Sequence, residues 1–151
     1  MKFYIATDHA GYAVKAYVKD LLTDMGHEVI DLGPDNADRV DYPDFGVKCA
    51  KAVIDDPGSF GIVVCGTGIG ISIAANKVPG IRAALCHDAY TAQMARAHND
   101  ANILAFGERV VGKGVIESIL KAFCETEFEG GRHATRVGKI EQGCSYGANL
   151  G

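Results

Sequence analysis

Residues 65–77 read CGTGIGISIAANK, a thiol followed by three glycines in five positions and then a stretch with helical spacing. Successive backbone N–H groups at a glycine-rich helix start form a concave nest for an oxyanion. The spacing is G-x-G-x-G, so Ile71 stands where a dinucleotide fingerprint needs its last glycine, and no Lys-Ser/Thr pair follows as it would in a P-loop. A small oxyanion, held without a positive side chain, is the ligand such a loop suits. Cys65 stands where the strand ends and the nest begins, and a helix N-terminus favours a thiolate that could act as a base. A cysteine closing an apolar strand is equally an ordinary core residue. Thr67 adds a hydroxyl inside the nest, as a proton relay or as a turn residue.

Other residues carry chemistry only in combination. Asp8-His9 is either a helix cap beside an exposed imidazole or a substrate contact. His98-Asn99 closes a helical stretch, where an imidazolium would meet the negative end of the dipole. Arg132 and Arg136 are four apart, hence on one helical face, and could fork a phosphate or simply be solvated. Together these parts fit proton transfer between adjacent carbons of a phosphorylated sugar, which needs a base, donors for an enediolate oxygen, an acid/base for ring opening and a phosphate clamp. No cofactor and no metal is expected, since backbone donors can carry the oxyanion and the sequence shows no clustered histidine and carboxylate ligands.

The elements that must position these residues follow from the pattern. Short β-rich runs at 2–7, 27–32, 60–65, 81–86 and 102–107 alternate with helical stretches, the signature of a parallel sheet covered on both faces. Val14, Tyr17, Val18, Leu21, Leu22 and Met25 recur at helical steps and Gly26 ends them; further helices are expected over 45–55, 70–77, 89–98 and 113–125. From about 130 a Gly-Gly breaker opens a segment with room for one short helix before a glycine-rich tail. In such sheets ligands sit beyond the carboxyl ends of the strands, which places Asp8, His9, Gly33, Cys65 to Gly70, His87, Asp88 and, a little further on, Arg109 as candidates.

Composition narrows the classes. With 151 residues a single domain, 1–151, is expected, and 48% hydrophobic and 23% charged residues are ordinary for a globular protein. A net charge of −4 offers no basic footprint for nucleic acid or an anionic membrane. No leader-like or membrane-length apolar run occurs, so a cytoplasmic location is expected. Five cysteines without a CxxC pair indicate neither a disulfide framework nor a zinc ribbon.

The segments TDHAGY, DYPDFG, CGTGIGISIAANKVPGIRAALCHDAYTAQMARAHNDANILAFGERVVG and GGRHATRV closely resemble the ribose-5-phosphate isomerase B family, which galactose-6-phosphate isomerase subunits share. The resemblance runs from about residue 3 to about residue 140. It implies a Rossmann-like three-layer αβα sandwich with a five-stranded parallel sheet, and a homodimer or dimer of dimers with sites at the subunit interface. It also implies interconversion of ribose 5-phosphate and ribulose 5-phosphate in the pentose phosphate pathway. By resemblance Cys65 is the base between C1 and C2 and His98 opens the furanose ring. Gly66, Thr67, Gly68, Ile69 and Gly70 form the enediolate nest; Asp8, His9 and Asn99 contact substrate; Arg109, Arg132 and Arg136 lie on the phosphate side; Tyr42 is a pocket wall. One branch of the family has a glutamate base after the nest; Ile71 there places this chain with the cysteine branch. Galactose-6-phosphate isomerase subunits split the set between unlike chains, whereas this chain carries all of it, which favours a homomer. A six-carbon phosphosugar such as allose 6-phosphate or galactose 6-phosphate, or a phosphate- or nucleotide-binding domain without turnover, are the alternative readings.

Overall fold

The computed structural model describes residues 1–150, with side chains through Gly143. Five strands and six helices alternate: β1 Lys2–Thr7, α1 Tyr12–Asp24, β2 Glu28–Asp31, α2 Tyr42–Asp55, β3 Phe60–Cys65, α3 Ile69–Asn76, β4 Ala83–Leu85, α4 Ala89–Ala97, β5 Ile103–Gly107, α5 Lys113–Glu125 and α6 Arg132–Leu150. All strand pairs are parallel, in the order β2-β1-β3-β5-β4. This is the expected Rossmann-like sandwich.

Side chains alternate across the sheet with period two, and each helix layer is matched to one set. Ile62 and Val64 of β3, with Leu104 and Phe106 of β5, pack under α1, α4 and α5 against Val18, Leu22, Ile119 and Phe123. Val63 and Cys65, with Ile103 and Ala105, face α2 and α3 and meet Cys49, Val53, Ile71 and Ala75. Each fully buried aliphatic side chain contributes roughly 1.5–3 kcal/mol. The alternation also aims Cys65 at the layer in which α3 begins. On that side Gly46 lets α2 approach closely: a Cβ there would lie 3.0 Å from the Ile71 carbonyl oxygen.

Element ends differ from the sequence reading for physical reasons. β2 and β4 are edge strands with one pairing partner each, and they shorten from 27–32 and 81–86 to Glu28–Asp31 and Ala83–Leu85. The second helix begins at Tyr42 rather than 45, because Pro43 in its first turn has its backbone angle preset for a helix start. The expected short C-terminal helix and tail is instead one helix of 19 residues, α6. Its glycines 138, 143 and 147 cost about 1 kcal/mol each relative to alanine, but no proline interrupts the run. Among the described residues no helix is long and apolar enough to cross a membrane.

Candidate active site

β3 is flanked by β1 and β5, whose connections leave on the opposite face of the sheet from α3, so the chain after Cys65 lies in a crevice at a reversal of strand connection. Main-chain bonds knit its walls: the Asp8 amide donates to the Val64 carbonyl at 3.1 Å, Glu108 to Cys65 at 3.0 Å and Arg109 to Gly66 at 3.0 Å. Cys65 is 4% exposed, and its Sγ accepts the Gly68 amide at 3.1 Å. Gly68 caps α3 with φ +78°, and a Cβ there would lie 2.6 Å from both the Phe106 carbonyl carbon and Leu85 Cδ1. The Thr67 hydroxyl accepts the Ile69 amide at 3.2 Å. Two nest amides are therefore engaged by the site's own side chains. Gly70 and Ile71, at the second and third positions of α3, keep the first-turn N–H groups that helix geometry leaves without a carbonyl partner.

The Tyr42 ring covers this turn: a Cβ on Gly70 would lie 2.6 Å from its Cε2 and Cζ. Asp8 accepts the Gly11 amide at 3.0 Å, closing the turn into α1. His9 Nδ1 lies 3.2 Å from both the amide and the carbonyl of Val40, which leaves Nε2 for other partners. A cleft of about 510 Å³ opens here between Asp8, His9, Arg39, Val40 and Tyr42. Burial pushes Cys49 up to about 12, and Cys86 and Cys124 each up to about 11, so all three stay thiols at neutral pH. Cys144 lies outside the described side chains.

The remaining expected residues sit at the other end of the sheet. α4 runs from the carboxyl end of β4 back to the amino end of β5, so its C-cap His98, and Asn99 after it, lie at the amino ends. α5 returns the same way, and the Glu129 amide donates to the Ala97 carbonyl at 3.0 Å, which starts α6 beside His98. Exposed Arg132 and Arg136 share that first turn, and Arg82 anchors α6 further along through Glu141 at 2.6 Å. A second cavity, of about 420 Å³, lies between β4 and α6 and is lined by Arg82, Asn99, Ala101 and Ile140. Six residues of β3 separate the ends by about 17 Å, beyond the reach of a thiol toward an imidazole.

Within one chain the fold thus brings together Cys65, Gly66, Thr67, Gly68, Ile69, Gly70, Asp8, His9, Arg109 and Tyr42, and separately His98, Asn99, Arg132 and Arg136. Arg109 parts from the other two arginines: its Nη1 lies 3.1 Å from where a Gly66 Cβ would be. Sequence reasoning missed Arg39 on the cleft wall and Glu108 beside Arg109. Burial first, and then the Asp8 charge, raise the Glu108 carboxyl above its ordinary value against the pull of Arg109. It also missed His133 and Glu129. The sequence shows no clustered ligands, yet folding gathers His98, Glu129 and His133 with donor atoms within 4.8 Å of one another. Only the i, i+4 spacing of Glu129 and His133 hints at this.

Comparison with known proteins gives the family and the fold. The profile of the ribose/galactose isomerase family matches residues 3–140. A solved structure of Clostridium thermocellum ribose-5-phosphate isomerase B superposes with TM-score 0.92 at 58% identity, over 94% of this chain and 96% of that one. Ribose-5-phosphate isomerase B of Escherichia coli is 46% identical over 139 residues, 92% of this chain and 93% of its own length. D-erythrulose-4-phosphate isomerase of Pectobacterium atrosepticum is 44% identical over 137 residues, 90% of both chains. The chain belongs to the ribose/galactose isomerase family and is an aldose–ketose isomerase.

Proposed function

We propose that this enzyme interconverts D-ribose 5-phosphate and D-ribulose 5-phosphate through an enediolate, with Cys65 as the base. The observation that carries the reading is the Cys65 sulfur seated 3.1 Å from the Gly68 amide at the start of α3. The sulfur takes the hydrogen from C2 of the open-chain aldose, the electron pair forms the C1–C2 double bond, and negative charge develops on the C1 oxygen. The Gly70 and Ile71 amides and the Thr67 hydroxyl receive that charge; such preorganised donors act in the transition state without reorganising. Return of the hydrogen to C1 and passage of the O2 proton to the C1 oxygen, relayed by the Thr67 hydroxyl, give the ketose. One carbon is oxidised and its neighbour reduced, so the electrons balance within the sugar.

His98 opens the furanose ring beforehand, Asn99 contacts a sugar hydroxyl, and Arg132 and Arg136 hold the phosphate. These groups come from a second copy of the chain, because each chain carries the two halves at opposite ends of its sheet. Ile69 and Ile73, 51% and 55% exposed and one turn apart on α3, give the carboxyl end an apolar surface for that copy. Asp8, His9 and Arg109 complete the carboxyl-end half.

Replacing Cys65 by alanine tests the base. Turnover of ribose 5-phosphate should fall by about 10²–10⁴-fold, while the variant still binds the phosphosugar in a calorimetric titration; unchanged turnover removes the thiol from the mechanism. The relative acting on a four-carbon phosphosugar favours one further reading, a different chain length of substrate. A coupled assay across four-, five- and six-carbon aldose phosphates decides between them by kcat/KM.

A further inference from the structure

The imidazoles of His98 and His133 stack with centroids 4.1 Å apart and planes 8° from parallel. His133 is 5% exposed, and its Nε2 is buried with no hydrogen-bond partner among the described residues. Glu129 Oε2 lies 3.3 Å from that nitrogen and 3.6 Å from His98 Nε2. The spacing alone would admit a metal ion. Stacked, nearly parallel rings, however, hold their nitrogen lone pairs in separate planes, so one cation cannot lie in both planes at about 2.0–2.1 Å from each nitrogen. The cluster is better described as one carboxylate shared by a buried and a half-exposed imidazole.

We propose that His133 and Glu129 are positioning residues for His98: the buried ring fixes the plane of its stacked partner, and the carboxylate charge, 3.6 Å from His98 Nε2, favours the tautomer with its proton on that nitrogen. The other His98 nitrogen is then the acceptor for the anomeric hydroxyl of the sugar. This rests on the ring-opening role given to His98 above. In that step the anomeric O–H proton passes to His98, its electron pair becomes the C1 carbonyl bond, and the bond from C1 to the ring oxygen breaks. The ring oxygen then takes the proton back from the imidazolium, and His98 returns to its starting state. Burial first, and then the charge His98 bears when protonated, hold His133 below the ordinary histidine value, with Arg132 and Arg136 reinforcing and Glu129 opposing. That lowering favours the neutral imidazole at His133, in keeping with a role as a ring face stacked on His98.

Two readouts isolate this role. Turnover of ribose 5-phosphate requires ring opening. Exchange of the C1 hydrogen of ribulose 5-phosphate with solvent deuterium, followed by NMR, starts from a sugar whose esterified C5 oxygen cannot close a five-membered ring. His133→Ala and Glu129→Gln should each lower kcat from ribose 5-phosphate by about tenfold, the scale of one lost orienting contact, with exchange within about twofold of wild type. His133→Phe, which keeps the stacked ring and loses no hydrogen bond, should restore kcat to within about threefold. Undiminished aldose turnover in the alanine and glutamine variants, or a phenylalanine variant as impaired as alanine, overturns the proposal. So does an equal fall in both readouts in these variants while His98→Asn still separates them. If His98→Asn itself lowers both readouts alike, the ring-opening reading fails first and the positioning role falls with it.

Discussion

At the carboxyl end of the sheet the reactive groups are backbone amides and one sulfur fixed among glycines; at the amino end they are long side chains on a helix held at its first turn and by one ion pair. The contrast follows from what each step demands. Charge building on an enediolate oxygen is stabilised most by donors that need not move, and Gly68, locked at φ +78° against the Phe106 backbone, supplies that rigidity. A phosphate tolerates more latitude, because forked guanidinium groups on flexible stems can follow it. On the proposed mechanism the separation also means that neither end isomerises a sugar alone.

Mixing two inactive variants gives the strongest test of this division. Cys65→Ala and His98→Asn proteins, dissociated together and reassembled, should recover about a quarter of wild-type activity, since half of the dimers of a two-fold assembly are mixed and each holds one intact site. Each variant treated alone should recover none. Absence of recovery, with mixed dimers confirmed by mass spectrometry, would mean that both halves act within one chain. A smaller effect is expected at the phosphate side. Arg136→Ala should raise KM for ribose 5-phosphate by about 10–100-fold, the scale of a charge-assisted hydrogen bond, with kcat changed far less; steady-state kinetics in which kcat falls instead would move Arg136 from binding to chemistry.

The halves were not equally legible in the sequence. Cys65, Thr67 and the glycines are contiguous and follow an apolar strand, so the alternation of strands and helices was enough to place them at the carboxyl end. His98 and Arg132 are 34 positions apart and meet only because α4 and α5 both return to the amino end and the Glu129 amide ties them there. Spacing along the chain carries no trace of His98 in that meeting; Glu129 and His133 are four apart, as Arg132 and Arg136 are, but a lone carboxylate–imidazole pair does not by itself point to a partner 31 positions away. The extent of α6 was hidden for another reason: glycines read as a tail are only weak breakers within a run otherwise made of helix-compatible residues.

The smallest expected effect concerns a charged group at the carboxyl end to which the proposed mechanism gives no role. Asp31, at the end of edge strand β2, accepts the Gly33 amide at 2.8 Å and lies 3.1 Å from Lys15 Nζ and 3.0 Å from Lys19 Nζ. Lys15 is 5% exposed and also donates to the Pro34 carbonyl, so losing its carboxylate partner leaves a buried charge poorly matched. Burial works to raise the Asp31 carboxyl, but the Gly33 amide and the two lysines outweigh it and hold it below the ordinary 3.8. A carboxyl depressed in the folded state stabilises the protein above its unfolded value, and that contribution fades as pH falls through the folded value. Asp31→Asn should therefore cost about 1–2 kcal/mol near pH 7, a modest figure because the pair is partly open to solvent, with kcat within about twofold of wild type. In urea melts the gap between wild type and variant should stay constant down to about pH 5 and narrow below about 3.8. A gap that widens on acidification would show that the lysines do not hold Asp31 ionised, and a fall in kcat would bring this edge of the sheet into the carboxyl-end site after all.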